Sequence, residues 1–312
     1  MKTVGIIGGS GFIGSHTTKQ FLEAGYHVKV SATTISQAEK YAHLKEMPNA
    51  ENLELVPLNV ENKKQLQHFI NGCDIVVHGG TPFKLDVTDP KTELFDPTIK
   101  GTENFLETVK NAPKVRKVIF IASIASYNTD FPMPVKGKGP DDTFNEQDTP
   151  FFSEESHPYA QAKFLAHKVV QDFINENPKT AMEITSVSPV FVAGKQLSNR
   201  EDSTSTGMQF LFKNKIAPNP FVQMLFDTDA EFAVVDVKDV ANAIYNAATK
   251  KGLHGKNYLL SSESWKVSDI TKMLNNEPPK NKPKIVYQNS AARHDLGITF
   301  NPAAVPLKAF SS

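Results

Sequence analysis

The sequence predicts an α/β protein, with a doubly wound parallel sheet of about seven strands and a smaller C-terminal lobe. Three observations lead to this fold class. Short apolar runs alternate with segments of helical periodicity, which is the pattern of strands joined by crossover helices. Most of these runs are apolar throughout, as expected where helices cover both faces of a sheet. The 312 residues are also enough to bury a large core.

The first half of the chain is predicted to alternate strictly between strands and helices. The strands are Thr3 to Ile7, His27 to Ser31, Leu53 to Leu58, Asp74 to His78 and Lys117 to Ala122. The helices are Phe12 to Ala24, Ser36 to Glu46, Lys63 to Asn71 and Glu93 to Lys110. Gly25 follows the first helix, where glycine commonly ends one. The second strand, HVKVS, is more polar than the others.

The second half of the chain is less regular. Residues 128–157 contain Pro, Gly, Asp and Phe without a period and predict a long surface loop. A helix that contains Tyr159 is predicted to run to about Asn175, and residues 195–227 are predicted to be irregular. The remaining elements are a sixth strand over Ile184 to Val192, a strand over Phe232 to Val235, a helix over Val237 to Lys250 and a seventh strand over Asn257 to Leu260.

The composition argues against several classes of protein. Lys plus Arg equals Asp plus Glu at 34 each, so no excess positive charge neutralises a phosphate backbone, and nucleic acid is not expected as a partner. No apolar run reaches the roughly 18 residues that a membrane helix requires. Glycines interrupt the N-terminal segment, unlike a signal peptide, and we expect a cytoplasmic protein. The single cysteine, Cys73, cannot form an internal disulfide, and the nine histidines have no metal-binding spacing.

Three glycines, Gly8, Gly11 and Gly14, lie between the first predicted strand and the first predicted helix. Small residues there allow the backbone to approach a pyrophosphate, whose charge the free amide groups and the helix dipole stabilise. A glycine triplet by itself also fits a tight turn with close helix packing. At the start of the first strand-helix unit it predicts a dinucleotide cofactor and a Rossmann-type sheet.

The end of the second strand bears on the choice of nicotinamide cofactor. An acidic residue there binds the ribose diol of NAD and repels the 2′-phosphate of NADP. The sequence KVSATTISQAEK has no acid before Glu39, while Thr33 offers a hydroxyl and Lys40 a positive charge. NADP(H) is therefore preferred, and NAD(H) stays an alternative because no arginine is present for a bidentate clamp. A solvated helix face is an equally good interpretation of Lys40.

Tyr159 and Lys163, in the sequence YAQAK, are predicted to lie one turn apart on one face of a helix. A nearby ammonium favours the phenolate and is expected to lower the pKa of the tyrosine from about 10. Ser123 ends the strand KVIFIAS at the carboxyl edge of the sheet, where open α/β folds place their ligands. The spacing alone is weak evidence, since an ordinary surface helix can carry it. Combined with the glycine loop and Ser123, it predicts a proton-transfer group.

Together these motifs resemble the extended short-chain dehydrogenase/reductases, within the NAD-dependent epimerase/dehydratase superfamily, over nearly the whole chain. The resemblance runs from VGIIGGSGFIG through Ser123 and YAQAK to FAVVDVKDVANAI and NSAARHDLG. Three further segments, HGGTPF, FDPTIKGTENFLETV and SPVFVAGK, resemble those of one branch. That branch contains dihydroflavonol reductases, cinnamoyl-CoA reductases and yeast-type methylglyoxal or aldehyde reductases.

The resemblance implies a role for each matching residue. Tyr159 would donate a proton to a ketone or aldehyde that receives hydride from NADPH, Lys163 would lower the tyrosine pKa and hold the nicotinamide ribose, and Ser123 would polarise the carbonyl. The implied cofactor contacts are Gly8, Gly11, Phe12, Ile13, Gly14, Thr33, Lys40, Asn59, Val60, Gly79, Thr81, Tyr159, Lys163, Pro189 and Val192. No metal ligand is implied.

Some positions depart from the pattern of that branch. Thr33 stands where the reductases usually carry arginine, which weakens the preference for NADPH. Asn59 replaces the acidic residue that normally meets the adenine. Gly79 and Gly80 replace larger residues before Thr81, and so predict a roomier or more mobile wall.

The predicted nucleotide-binding domain covers residues 1–190 and also receives 232–262, while 191–231 and 263–312 form a substrate-binding lobe. Several phenylalanines lie in segments that the family uses to cover its substrate: Phe131, Phe151, Phe152, Phe210, Phe212, Phe221 and Phe226. They are compatible with an apolar or aromatic carbonyl substrate, although core packing of an irregular lobe explains them slightly better. The sequence is compatible with a monomer or a homodimer.

An NADPH-dependent carbonyl reductase is the favoured hypothesis, and two others stay open. A nucleotide-sugar epimerase or dehydratase uses the same residues but keeps NAD tightly bound, and usually has an acidic second strand end. A non-catalytic NADP sensor would bind the cofactor to regulate a partner. Such sensors typically lose the tyrosine or the lysine, and this chain has both.

Overall fold

The computed structural model of the protein describes residues 1–79, 88–139, 141–198 and 203–311. The strands in these residues are β1 (Thr3–Ile7), β2 (His27–Ala32), β3 (Leu53–Pro57), β4 (Ile75–His78), β5 (Lys117–Ile121), β6 (Glu183–Pro189), β7 (Phe191–Ala193), β8 (Glu231–Asp236), β9 (Asn257–Leu260) and β10 (Glu263–Lys266). The helices are α1 (Phe12–Glu23), α2 (Ala42–Lys45), α3 (Lys63–Ile70), α4 (Asp96–Lys110), α5 (Pro158–Glu176), α6 (Thr204–Asn214), α7 (Pro220–Asp227), α8 (Val237–Thr249), α9 (Val267–Leu274) and α10 (Ala304–Phe310).

Seven of these strands form one parallel sheet in the order β3-β2-β1-β4-β5-β6-β9. The order reverses between β1 and β4. Open α/β sheets bind their ligands in the crevice at the carboxyl ends of the strands at such a reversal. The doubly wound sheet predicted from the sequence is confirmed, and its crevice lies directly after β1 and β4.

The core is divided between the two faces of this sheet. Ile75 and Val77 belong to the apolar cluster under α1 and α8, whereas Val76 belongs to the cluster under α3, α4 and α5. This alternation follows because successive side chains of a strand point to opposite faces. Helices therefore cover both faces, which is the reason for the nearly continuous apolar runs.

The predicted helix over Ser36 to Glu46 is wrong in its extent. The chain forms a 3₁₀ turn at Ala38–Tyr41, followed by the four-residue helix α2. Residues 33–39 are all exposed, so no apolar face stabilises a longer helix there. The chain returns to the core only at Tyr41 and Leu44, which are 2% and 0% exposed.

The sixth strand, predicted over Ile184 to Val192, is two strands in two sheets. β6 ends at Pro189 in the main sheet, and β7 begins two residues later in a second sheet. Proline has no N–H to continue the ladder, and the intervening Val190 donates its N–H to Leu260 O at 3.1 Å. Both strands are buried almost throughout, so the apolar pattern does not reveal the break.

The second sheet has three strands in the order β10-β8-β7. β8 is antiparallel to β10 and parallel to β7. The sequence assigned residues 232–262 to the nucleotide-binding domain. Within this range, β9 lies in the main sheet, where it pairs with β6, whereas β8 pairs outside the main sheet. The division of the chain into a domain and a lobe stays a prediction.

Residues 195–227 are not irregular throughout, as the sequence predicted, because they contain α6 and α7. Ser203 Oγ accepts from Thr206 N at 3.4 Å and caps α6. Asn219 Oδ1 accepts from Val222 N at 3.0 Å and caps α7 in front of a proline. Both starts follow the usual rules for helix N-termini. These capping signals were therefore present in the sequence, although the helices lack a clear apolar period.

The segment 128–157 is only in part the surface loop that the sequence predicts, since it alternates between exposed stretches and buried residues. Asn128 and Phe144 are 0% and 2% exposed. Asn128 Nδ2 donates to Tyr287 OH at 2.9 Å, and Phe144 N donates to Val286 O at 2.8 Å. Buried polar groups of the backbone need such partners. The lack of periodicity therefore reflects irregular backbone that enters the interior at some residues and is exposed to solvent at others, such as 136–137 and 141–142.

Two buried carboxylates at the start of α8, Asp236 and Asp239, share one partner. Asn301 Nδ2 donates to them at 3.0 and 3.1 Å, and Asn301 N donates to Asp239 at 2.7 Å. Burial raises the pKa of Asp239 to about 6, with a smaller contribution from the charge of Asp236, and the backbone hydrogen bond opposes the rise.

We expect Asp239 to make the folded protein less stable as the pH rises from about 4 to about 7. The folded state holds this proton more tightly than the unfolded state, whose pKa is near 3.8, so the favourable contribution is lost as the pH passes through the folded pKa. The difference between the two pKa values corresponds to at most about 3 kcal/mol. Urea unfolding at several pH values should show a smaller loss of stability in Asp239→Asn than in the wild type. An equal loss in both proteins would contradict the assignment, and Asp227→Asn, which changes an exposed residue, is the control.

Candidate active site

A tight turn joins β1 to α1 at the switch point of the sheet. Gly8 has a φ of +81°, which favours glycine, and its N–H donates to Ser31 Oγ at 2.9 Å. Gly11 N donates to Gly8 O at 3.0 Å and closes the turn. A Cβ at Gly14 would lie 2.0 Å from Gly8 O, so only glycine fits where α1 passes the turn. Phe12 is 8% exposed and packs in the core at the start of this helix.

The N-terminus of α1 is suited to an anion. Its cap residue, Gly11, has no side chain to accept from the first amide groups, and no side-chain cap is formed. Ile13 is half-buried in the first turn beside Phe12. Uncapped amides at a helix start, together with the helix dipole, favour negative charge. The turn therefore has the backbone approach and the polarity that a pyrophosphate requires.

The residues predicted to meet the adenosine end of the cofactor follow β2 and β3, the strands beside β1. Thr33 is exposed immediately after β2, and Lys40 is half-buried in the 3₁₀ turn. Asn59 is exposed after β3, and its side chain accepts from Glu61 N at 3.0 Å. Val60 packs against the apolar cluster beneath. These residues lie at the carboxyl edge of the sheet, on the β3 side of the glycine turn.

Gly79 follows β4, on the other side of the glycine turn. Its N–H donates to Ile7 O at 3.0 Å. A Cβ there would lie 2.9 Å from Ile121 Cδ1 and 3.2 Å from Ile7 O. The roomier wall that the sequence predicts is therefore wrong at Gly79, where the absence of a side chain permits close packing. Gly80 and Thr81 lie outside the described residues.

Ser123 follows β5 at the carboxyl edge of the sheet. Its Oγ accepts from Ala125 N at 3.2 Å and caps the 3₁₀ turn Ile124–Ser126. Because the hydroxyl is the acceptor in this bond, its own proton is available for donation to another oxygen. The half-buried Ser123 thus has the chemistry required to polarise a carbonyl.

The helix that carries Tyr159 and Lys163 packs against this turn. α5 begins at a proline, and its cap residue His157 accepts from Tyr159 N through Nδ1 at 3.2 Å. Lys163 Nζ lies 5.8 Å from the centroid of the Tyr159 ring, as the one-turn spacing predicted. The fold therefore brings the serine turn and the tyrosine-lysine helix to the same edge of the sheet.

Burial dominates the electrostatics of these side chains. Loss of contact with water lowers the pKa of Lys163, which is 8% exposed, to about 8. The same effect raises the pKa of Tyr159 above its usual value of 10.0. The lowered tyrosine pKa expected from the sequence is therefore wrong for the protein alone, because the cost of burying a phenolate exceeds the effect of the ammonium.

Pro189 and Val192 flank the point at which the chain passes from β6 into the second sheet. Pro189 pairs with Leu260 at the end of β6, and Val192 is 4% exposed in β7. β6 is the neighbour of β5, so Pro189 ends at the same edge of the sheet as Ser123. The predicted position beside a nicotinamide stays a prediction.

Sequence reasoning missed two residues of this region. Ser31, the penultimate residue of β2, accepts from the N–H of Gly8, an arrangement that could be inferred only from the pairing of β1 with β2. His78 ends β4 between Phe105 and Phe120, with ring centroids 4.5 and 5.2 Å away. Burial, followed by the charge of Lys163, lowers the pKa of His78 to about 4.

The phenylalanines predicted to cover a substrate have mixed positions. Phe212 is fully buried in the core of the second sheet, and Phe131 packs edge-on against Phe232 with centroids 5.2 Å apart. Phe210 and Phe221 are 53% and 44% exposed. Core packing accounts for the first two, as the alternative interpretation proposed. The apolar character of the substrate stays a prediction.

Two clefts of the described chain lie elsewhere. One, of about 670 Å³, borders Tyr127, His167 and Asn257, and another, of about 310 Å³, borders Met133 and Tyr287. Neither is lined by a predicted site residue. Among the described residues, no group of His, Cys, Asp and Glu is placed to hold a metal, and none of the helices has the length and apolar character needed to cross a membrane.

The glycine turn lies at the switch point of the sheet, Ser123 lies at the end of an adjoining strand, and Tyr159 and Lys163 lie on the helix that packs against it. This combination defines a dinucleotide-binding protein of the short-chain dehydrogenase/reductase type. Comparison with known proteins agrees with this class. The chain belongs to the NAD dependent epimerase/dehydratase family, whose sequence pattern matches residues 4–261.

The relatives include members of the branch that the sequence resembles. The chain is 28% identical to cinnamoyl-CoA reductase CAD2 of Medicago truncatula, over 98% of this chain and 94% of that protein. It is 27% identical to dihydroflavonol 4-reductase of Arabidopsis thaliana, over 89% and 70% of the two chains. Yeast methylglyoxal/isovaleraldehyde reductase Gre2, in its complex with NADPH, has the same fold, with a TM-score of 0.79, 22% identity and coverage of 98% and 96%. The resemblance stated from the sequence is confirmed.

We expect Gly14→Ala to abolish dinucleotide binding by the glycine turn. The added methyl group would lie 2.0 Å from Gly8 O, so the turn must move away from α1. Titration of the protein with NADPH, followed by the fluorescence of the cofactor, measures the effect. Gly101→Ala is the matched control, because nothing lies within 4 Å of that Cβ and alanine should stabilise the helix by about 0.5–1 kcal/mol. Unchanged NADPH affinity in Gly14→Ala would contradict the proposed site.

Proposed function

We propose that the protein is an NADPH-dependent reductase that acts on a ketone or aldehyde carbonyl. The observation that carries the proposal is the packing of the helix with Tyr159 and Lys163 against the turn of Ser123, at the edge where the glycine turn lies. The reductase relatives support the reaction class. A cytoplasmic location is part of the same proposal.

The turn after β1 fits the pyrophosphate of the cofactor. The close approach of α1 to the turn, where a Cβ at Gly14 would lie 2.0 Å from Gly8 O, and the uncapped start of α1 are the features that support this fit. Thr33 and Lys40 would meet the 2′-phosphate end, and Pro189 and Val192 the nicotinamide end. When bound, the cofactor supplies the hydride for the reduction.

Tyr159 is the proposed proton donor. Its raised pKa keeps the phenol protonated at neutral pH, which is the form that a reduction consumes. As the carbonyl oxygen gains charge, the phenol proton passes to it and a phenolate remains. The ammonium of Lys163, with its pKa of about 8, is mostly protonated at neutral pH and would stabilise that phenolate.

Ser123 and His78 also affect the charges in the proposed site. The hydroxyl of Ser123 would donate to the substrate oxygen and so favour charge on it. His78, with its lowered pKa, stays neutral and adds no second positive charge beside Lys163. Placing a neutral ring there helps the lysine to remain protonated in a poorly hydrated environment.

We expect Tyr159→Phe to lower kcat/KM for carbonyl reduction by about 10²- to 10⁴-fold, as for loss of a positioned proton donor. Affinity for NADPH should change little, because only a hydroxyl is removed. The measurement is NADPH consumption with a panel of aldehydes, ketones and diketones. Tyr26→Phe is the control. The Tyr26 ring packs with Phe21 and Tyr245 beyond the C-terminal end of α1, the opposite end from the glycine turn.

Equal rates for Tyr159→Phe and the wild type would refute the mechanism. A wild-type protein that consumes no NADPH with any carbonyl, yet retains NAD through purification, would favour the nucleotide-sugar epimerase or dehydratase alternative. A protein that binds NADPH but reduces none of the panel would favour the sensor hypothesis.

We expect Lys40→Ala to reduce the preference for NADPH over NADH by about 10-fold, the effect of one lost charge-assisted contact with phosphate. The ratio of kcat/KM values for the two cofactors measures this preference. Lys45→Ala, which alters an exposed lysine at the end of α2, should leave the ratio unchanged. If Lys40→Ala behaves like Lys45→Ala, Lys40 belongs to a solvated surface and the 2′-phosphate contact is wrong.

A further inference from the structure

Behind the turn of Ser123 lies a small set of buried hydroxyl and amide groups. Ser126 Oγ donates to Ser123 O at 2.7 Å and lies 2.9 Å from Ser188 Oγ. Ser188 Oγ in turn donates to Asn257 Oδ1 at 2.8 Å. Ser126 and Ser188 are 2% and 0% exposed, so water does not compete for these bonds. We call these four residues, Ser123, Ser126, Ser188 and Asn257, the serine network.

Counting protons assigns a direction to every bond in the serine network except the contact between Ser126 Oγ and Ser188 Oγ. Because Ser188 donates to Asn257 Oδ1, the amide nitrogen of Asn257 faces the other way, 3.4 Å from Ser126 Oγ and 3.2 Å from His167 Nε2. An amide nitrogen has two protons and no acceptor, so it donates to both groups. Ser126 accepts from Asn257 and uses its single proton for Ser123 O. Each hydroxyl proton is therefore used once, and none remains for the 2.9 Å contact between Ser126 Oγ and Ser188 Oγ.

His167 joins the serine network to the catalytic helix. It lies on α5 one turn after Lys163 and two turns after Tyr159, on the same side. An Nε2 that accepts from Asn257 requires a neutral ring with its proton on Nδ1. In this tautomer the buried Nδ1–H has no hydrogen-bond partner in the part of the chain that the structure describes. Burial also lowers the pKa of His167 to about 4, so the ring is neutral.

The backbone of Asn257 reinforces the arrangement. Tyr127 OH donates to Asn257 O at 3.1 Å, so the side chain and the carbonyl of one residue contact two successive residues of the turn after Ser123. Asn257 is the first residue of β9, the edge strand of the main sheet, and pairs in register with Ser186 of β6. It is thus attached to rigid backbone, far along the sequence from the turn that it contacts.

We propose that Asn257 is a positioning residue for the reaction, which aligns the Ser123 turn with the Tyr159 and Lys163 helix through Ser126 and His167. The inference rests on the proposed function, because it concerns the same reaction. Asn257 is proposed to act through the serine network and not by contact with the reacting atoms. It acts by holding the carbonyl of Ser123, and hence the direction of the Ser123 hydroxyl, relative to α5.

The test compares Asn257→Ala and Ser126→Ala in the wild type and in a Ser123→Ala background. We expect each variant to lower kcat about 10-fold with little change in KM for NADPH. In the Ser123→Ala background the same substitutions should have almost no further effect, because the group that they position is gone. Ser126→Ala leaves the backbone bond from Ser126 N to Ser123 O in place, so it keeps the test valid if Asn257→Ala does not fold.

Asn246→Ala is the matched control, since Asn246 is a half-buried amide that donates to Leu296 O at 3.0 Å, away from the turn. It should leave kcat unchanged in both backgrounds. Unaltered kcat in Asn257→Ala and Ser126→Ala, or an equal loss with and without Ser123, overturns the positioning role while the reductase proposal stands. A wild-type protein with no carbonyl reductase activity overturns the proposed function, and the positioning role with it.

Discussion

The close approach of α1 to the turn after β1 is the contact on which the rest of the molecule depends. With no Cβ at Gly14, the helix passes directly over Gly8 O, and its position then determines that of its neighbours. α8 packs along α1 under the same face of the sheet. His16, one turn into α1, meets Lys195 O at 2.9 Å and ties the helix to the segment that follows β7. Through α1, the glycine turn is therefore connected to the segment that follows the second sheet's strand β7.

Exclusion of water explains the chemistry at the opposite side of the crevice. Around α5 the dominant influence on Tyr159, Lys163 and His78 is burial, which disfavours the charged form of each group. The result is a neutral phenol, a neutral imidazole and an amine whose pKa lies close to neutrality. Burial therefore makes the loss of the Tyr159 proton more costly. The cost of creating a phenolate is lower when the ammonium is already beside it.

Much of the fold followed from local patterns in the sequence. The first five strands occupy the predicted segments to within about a residue, since each is a short apolar run between helices. The glycine turn, Ser123 and the Tyr159 helix were also found, because their chemistry is local. The predictions failed where tertiary contacts decide the outcome. Residues 33–39 contain no apolar side chain that reaches the core, and parts of the segment 128–157, such as Phe144, are buried by partners far away in the chain.

The site was predicted less completely for the same reason. Ser31, His78 and Asn257 matter through strand pairing and packing, and nothing in their own neighbourhood distinguishes them from ordinary polar residues. The electrostatic prediction for Tyr159 was wrong because spacing on a helix reveals a neighbouring charge but not the depth of burial. Sequence patterns therefore identify the groups that do chemistry, whereas the supporting groups require the folded chain.

The passage from β6 to β7 has a mechanical consequence. Only Val190 separates the last residue of the main sheet from the first residue of the second sheet. The ring of Pro189 fixes the φ angle of that residue, and the hydrogen bond from Val190 N to Leu260 O restrains the backbone of the following residue. The connection between β6 and β7 is therefore rigid and has little freedom to act as a hinge. Any opening of the crevice to exchange ligands must come from bending elsewhere, in the helices and connections that flank the second sheet, with Pro189 and Val192 staying in place.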